Sequence, residues 1–208
     1  MPPLAELFLS SFLVGFSGAV MPGPMFTACI GASLRQGFRA GPRIVLGHGI
    51  VEVALVALLA FGLAPYLTHP ALLRGIGLVG GALMIWMGVD MIRHSRTVAA
   101  SAVAGTSAGG GAGAAVRAGM FTTLGNPYFY VWWSTIGLAF ILRGRDAGWA
   151  GLPVFYGGHI LSDIAWYFAV AFAVSHGRRV APPAVFRWIL ILCGVALAGF
   201  GILFMSGR

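Results

Sequence analysis

The stretch "VLGHGIVEVALVALLAFG", residues 45–62, sets one histidine and one glutamate, His48 and Glu52, four positions apart in an otherwise apolar run. A run of that length and apolarity matches a helix that crosses a bilayer, where an ionisable side chain is costly and marks function by default. A second stretch, "FYGGHILSDIAWYFAVAF" (155–172), repeats the arrangement with His159 and Asp163. Residues four apart share one face of an α-helix, so each histidine lies one turn before its carboxylate.

The rest of the chain supports the membrane reading. Of 208 residues, 59% are hydrophobic and 9% charged, too little polar surface for a soluble domain of this size. Leu7–Leu34 and Ala118–Leu142 carry no charge; Ile44–Ala64 carries only His48 and Glu52, and Ala71–Val89 only Arg74. Leu152–Val174 holds His159 and Asp163, and Ala184–Phe204 holds Arg187. About 20 apolar residues at ~1.5 Å rise cross the hydrocarbon core, so six spans are expected. The first is expected to be retained rather than cleaved as a signal peptide, because it lacks a basic leader and its only early charge is Glu6.

The net charge of +8 comes from arginine alone. Arg35, Arg39, Arg43, Arg93, Arg96, Arg117, Arg178, Arg179 and Arg187 fall on one side of the expected membrane, against Arg74, Arg143, Arg145 and Arg208 on the other. Arginine between spans is not a nucleic-acid footprint. Positive loops stay cytoplasmic, so both termini are expected outside.

The chain also repeats itself. "SAVAGTSAGGGAGAA" (101–115) reads as a flexible Gly/Ala/Ser linker between three spans and three spans. Pro42, His48 and Glu52 match Pro153, His159 and Asp163 at a constant offset, and Arg74, Gly81 and Gly88 match Arg187, Gly194 and Gly201 at another. Three spans are an odd number, so the second copy must be inverted, an architecture of secondary transporters with a site at the midplane. The sequence predicts an all-α integral membrane protein of six transmembrane helices in two inverted-topology three-helix repeats, 1–98 and 117–208, joined by a linker, 99–116. The first helix of each repeat is expected to be broken.

Glu52 and Asp163 each lie about ten residues into a span, ~15 Å deep and close to the bilayer centre. A carboxylate that can sit there either charged or neutral is what a proton-coupled carrier needs, with His48 and His159 in support. The alternative reading of each pair is a hydrogen bond that pins two helices together. "MPGPMFTACI" (21–30) and "LGNPYFYVWW" (124–133) supply the breaks. Pro22 and Pro24 remove backbone donors, and Asn126–Pro127 reads as an N-cap followed by a first helical residue. A helix N-terminus inside the membrane offers free N–H groups to a carboxylate. The candidates are Pro22, Gly23, Pro24, Met25, Phe26 and Thr27 in one half, and Asn126, Pro127, Tyr128, Phe129 and Tyr130 in the other. Trp132 and Trp133, with Tyr128 and Tyr130, are able to line a pocket or to stack on lipid, and most read as packing or interface aromatics. Cys29 and Cys193 read as small apolar residues rather than a thiol pair, and "GFSG" (15–18) lacks the context of a serine nucleophile.

"MPGP", "RQGFRAGPRIVLGHGIVE" (35–52), "LLRGIGLVGGALMIWMG" (72–88) and "LGNPYFYVWW" together resemble the lysine exporter (LysE/RhtB) superfamily of amino-acid exporters. The resemblance implies an inner-membrane exporter of amino acids or related small zwitterionic metabolites, driven by the proton gradient through alternating access. It also implies a site near Pro22, Gly23, Pro24, Asn126 and Pro127. Tyr128 stands where members commonly carry lysine, so no substrate carries over. The expected partners are a small-molecule substrate, protons and the lipid bilayer, with no nucleic acid and no cofactor; a homodimer is compatible with this set. Open alternatives are a divalent metal-ion exporter and an intramembrane enzyme, either a serine protease or a thiol–disulfide carrier. No metal site is expected, because each histidine lies a turn nearer its own side of the membrane. Two opposed turns of ~5.4 Å would hold His48 and His159 on the order of 10 Å apart.

Overall fold

A computed structural model describes residues 4–63, 69–104, 111–177 and 180–206, which are helical with short connections and no strand. The outward surface carries large apolar side chains such as Leu13, Phe61, Trp86, Phe121 and Trp188, while Glu52, His159 and Asp163 are buried. That inversion of the soluble pattern is what a hydrocarbon solvent selects.

The prolines break the chain where expected. Helix α1 (Leu4–Ala19) stops, and α2 (Pro24–Gln36) starts afresh on Pro24 behind an extended Gly23. A single 3₁₀ turn, Gly37–Arg39, then leads into α3 (Ala40–Leu58). Gly37 takes φ 71°, a left-handed conformation that favours glycine. A π-helical turn, Leu59–Leu63, follows α3, and α4 (Pro70–Ala104) comes next. Helix α5 (Ala112–Leu124) ends at the second break. From there α6 (Pro127–Trp132), a π-helical turn (Trp133–Gly137) and α7 (Leu138–Asp146) run on as one rod. Two long helices, α8 (Gly151–Gly177) and α9 (Pro183–Ser206), complete the fold.

Among the described residues, four helical segments are long and apolar enough to cross a membrane: Pro24–Gly62, Pro70–Ala100, Gly151–Gly177 and Pro183–Ser206. The first and fourth expected spans, Leu7–Leu34 and Ala118–Leu142, are instead divided by their Pro24 and Asn126–Pro127 breaks. Helix α4 runs to Ala104 and α5 begins at Ala112, so helix takes up both flanks of 99–116. Alanine is the strongest helix former, and these flanks are rich in it. Residues 105–110, Arg178, Arg179 and Arg208 lie outside the described residues, as does Ala64 at the end of the second expected span.

Glycines set the helix crossings. On α4 and α9, a Cβ added at Gly81 would lie 2.7 Å from Gly201 O, and one at Gly194 2.7 Å from Gly88 O. The two backbones are in direct contact there, and any side chain would force them apart. Helix α3 crosses α5 where Gly47 meets the Val116 carbonyl and Gly119 meets the Ile44 carbonyl. Helix α8 crosses α1 where Gly158 meets Ser11 and the Phe8 carbonyl. Gly47 and Gly158 each directly precede a histidine, so the two crossings carry His48 and His159 into the interior.

Candidate functional site

The histidines and carboxylates converge. His48 Nε2 and His159 Nε2 each lie 3.0 Å from the same Glu52 oxygen, Oε1. Both also lie 3.7 Å from Asp163 Oδ2. All four residues are buried, Glu52 completely.

This corrects the expectation that the histidines are held on the order of 10 Å apart: their Nε2 atoms can be no farther apart than twice the 3.0 Å bond to Glu52. A separation on the order of 10 Å would hold if Glu52 and Asp163 stood level with each other. The register of the antiparallel helices does something different. Gly41 abuts Ala171, and Gly49 abuts Ile160, which levels His48 with Asp163 and Glu52 with His159. Each carboxylate therefore meets the other helix's histidine, and the side chains close the remaining gap.

Hydrogen-bond accounting constrains the protons. Thr123 Oγ1 donates to Gly119 O at 2.7 Å, one turn back in α5. A hydroxyl has one hydrogen, so Oγ1 meets His48 Nδ1, 2.9 Å away, as an acceptor. His48 Nδ1 is then protonated, and the contact between His48 Nε2 and Glu52 requires one further proton on either atom. His159 Nδ1 has no partner. Gly15 stands beside it, where an added Cβ would be 3.1 Å away. A neutral His159 with its hydrogen on Nε2 satisfies Glu52 and leaves Nδ1 as a bare acceptor. Glu52 Oε2 and Asp163 Oδ2 are buried without a hydrogen-bond donor.

The helix breaks contribute unequally. Asn126 caps α6 by accepting the Tyr128 N–H on Oδ1 at 3.1 Å, and the Phe129 N–H returns to Asn126 O. The cap was expected; its consequence is that Tyr128 N–H is consumed rather than offered. At α2 no side chain caps the helix, and Thr27 N–H closes on Gly23 O at 3.1 Å. The amides of Met25 and Phe26 are the orphan donors of that first turn.

A cavity of about 50 Å³ adjoins the cluster. Gly23, Met25, Asn126, Phe129, His48, Glu52, His159 and Asp163 line it; Pro22, Pro24, Phe26, Thr27, Pro127, Tyr128 and Tyr130 do not. Pro22 is exposed. Thr27 instead lines a separate cleft with Arg35 and Asp90, and Tyr128 and Tyr130 hydroxyls donate to Ser17 O and Leu124 O.

Of the aromatics Tyr128, Tyr130, Trp132 and Trp133, the two tryptophans line the cavity. Trp132 lies over His159 at 4.6 Å between centroids, with Trp133 edge-on at 5.1 Å. The π-helical turn that starts at Trp133 widens the helix and lets both neighbours face the cavity. Thr123 and Tyr167, also in the lining, carry no signal in a single sequence. Ser17 accepts from Trp132 Nε1 at 3.2 Å and has that partner in place of a histidine. Cys29 and Cys193 are free and pack in different apolar clusters.

Apolar helices that enclose a buried cluster of ionisable groups beside a cavity define a membrane transporter. The chain belongs to the LysE type translocator family, whose family model matches residues 16–208, and it is a transporter rather than an enzyme. It is similar to the chemotactic transduction protein ChpE of Pseudomonas aeruginosa, 31% identical over 98% of this chain and 100% of that one. It is also similar to the putative amino acid efflux protein YcgF of Bacillus subtilis, 23% identical over 96% of this chain and 95% of that one. The uncharacterized membrane protein YahN of Escherichia coli is 27% identical over 86% of this chain and 80% of that one. No solved structure matches.

Proposed function

We propose that this chain is a proton-coupled exporter of amino acids or related small zwitterionic metabolites, working by alternating access in the inner membrane. The observation that carries the reading is the closed ring of His48, Glu52, His159 and Asp163 between α3 and α8. One proton beyond those of the neutral imidazoles holds the His48–Glu52 contact together. Its loss would leave a bare nitrogen facing a carboxylate within α3, which repel. Turning either side chain aside would disturb the contacts that Glu52 makes to His159 and His48 makes to Asp163 on α8. Glu52 and Asp163 are the coupling carboxylates, and the histidines hold them.

The substrate carboxylate is assigned to the α2 N-terminus, where Gly23 and Met25 border the cavity and the orphan amides lie. Asn126 borders the cavity beside it, its Nδ2 3.7 Å from where a Cβ on Gly23 would stand. On alternating access, parting of the helices would open this cavity to an amino acid. The assignment to zwitterions is supported by family membership and by the description of YcgF as a putative amino acid efflux protein.

Six spans in two inverted repeats, with both termini outside, complete the proposal. The helix pairing supports it: α1 packs on α8, α5 on α3, and α4 on α9. Exchanging the two halves turns the first pair into the second and the third into itself. The Gly81–Gly201 contact likewise becomes the Gly88–Gly194 contact. The test is an efflux assay with purified protein in vesicles, against a panel of amino acids under an imposed proton gradient. Gradient-dependent movement of at least one zwitterion is expected; movement of none overturns the reading.

A further inference from the structure

We propose that His48, Glu52, His159 and Asp163 form a binding site for one divalent transition-metal ion of the zinc class, which fastens α3 to α8. The donor set is two imidazole nitrogens and two carboxylate oxygens, a combination suited to zinc and unlike the all-oxygen shells of magnesium or calcium. The ligand atoms of His48, Glu52 and Asp163 lie within 4.8 Å of one another.

His159 Nε2, 3.0 Å from Glu52 Oε1 and 3.7 Å from Asp163 Oδ2, becomes the fourth donor when the ion displaces its hydrogen to Nδ1. A tetrahedral zinc ion with bonds of ~2.0–2.1 Å has nitrogen–oxygen edges of ~3.3 Å. The four edges here, two of 3.0 Å and two of 3.7 Å, bracket that value.

Three further observations point to a cation. Asp163 is 5% exposed, and its Oδ2, 3.7 Å from both Nε2 atoms, has no hydrogen-bond donor; Glu52 Oε2, the oxygen that neither imidazole meets, is also buried without one. Buried unsatisfied acceptors of this kind call for a cation or water. Thr123 holds the hydrogen of His48 on Nδ1, which turns a lone pair at Nε2 toward the ring; an oriented outer-shell partner of this type is the rule for metal-bound histidine. Finally, a dication with two carboxylates and two neutral imidazoles has no net charge, the least costly state at the centre of a bilayer.

Binding ties residues 48 and 52 of α3 to residues 159 and 163 of α8 through one ion. On the export reading above, on which only this consequence rests, a zinc-loaded protein cannot part the two helices, and export stops.

The test begins with purified, chelator-stripped protein in detergent, loaded with zinc chloride, desalted and assayed for metal by mass spectrometry. Near one zinc per chain is expected. The His48→Gln, His159→Gln double variant should lose stoichiometric zinc while eluting as the wild type does. His48→Cys, which keeps a zinc-binding atom, should retain metal where His48→Gln does not, a difference that a merely structural histidine would not produce. Wild-type protein without zinc, or a double variant that keeps it, overturns the site. In vesicles, micromolar zinc should block amino-acid efflux; transport of zinc itself would overturn the clamp and make the ion cargo. Zinc binding without export of any zwitterion would leave the site standing and remove the export reading instead.

Discussion

Thr123 Oγ1 lies 2.9 Å from His48 Nδ1, whereas Gly15 leaves the matching nitrogen of His159 without a partner. The two histidines that look alike in sequence therefore differ in the fold. His48 is oriented from outside the ring, and His159 is held by Glu52 Oε1 and by the tilted ring of Trp132.

Thr123→Val keeps the shape and removes the acceptor, leaving a buried N–H unpaired at a cost of ~1–3 kcal/mol. Export is expected to fall about tenfold or more with the protein still inserted, and zinc affinity to fall by about 10–100-fold. Thr123→Ser should restore both. Wild-type export and zinc affinity in Thr123→Val would show that Thr123 only fills space.

Glu52→Gln leaves a single neutral oxygen where two imidazoles meet the carboxylate. Proton-driven efflux in vesicles is expected to fall below a tenth of wild type, with Asp163→Asn affected in the same direction. Normal export by both variants would make the carboxylates structural.

Gly47→Ala sets a methyl group onto the Val116 backbone, while Gly75 and Gly199 have open space around an added Cβ. Thermal unfolding in detergent should show Gly47→Ala destabilised by ~1–3 kcal/mol or more, and Gly75→Ala and Gly199→Ala close to wild type. Equal stability of all three would contradict the α3–α5 crossing.

Reporter fusions after Gly113 should report cytoplasm, and fusions at the C-terminus should report the outside, as the arginine distribution requires. The reverse pattern would invert the proposed topology and with it the direction from which α2 is approached.

Pattern along the chain was enough to identify an all-helical membrane protein, to place both proline breaks, and to single out His48, Glu52, His159 and Asp163. Each of these is a local property: apolar length, a missing backbone donor, or a charge where hydrocarbon is expected. The breaks appear as expected between Ala19 and Pro24 and between Leu124 and Pro127. What one sequence cannot carry is the register between helices distant along the chain. That register levels Glu52 with His159, brings four donors to one ring, and replaces a separation by convergence. It also sets Thr123 against one histidine and Gly15 against the other, and the π-helical turn swings Trp132 and Trp133 onto the site. Those relations depend on where glycine lets two backbones touch, and contact across helices exists only once the chain has folded.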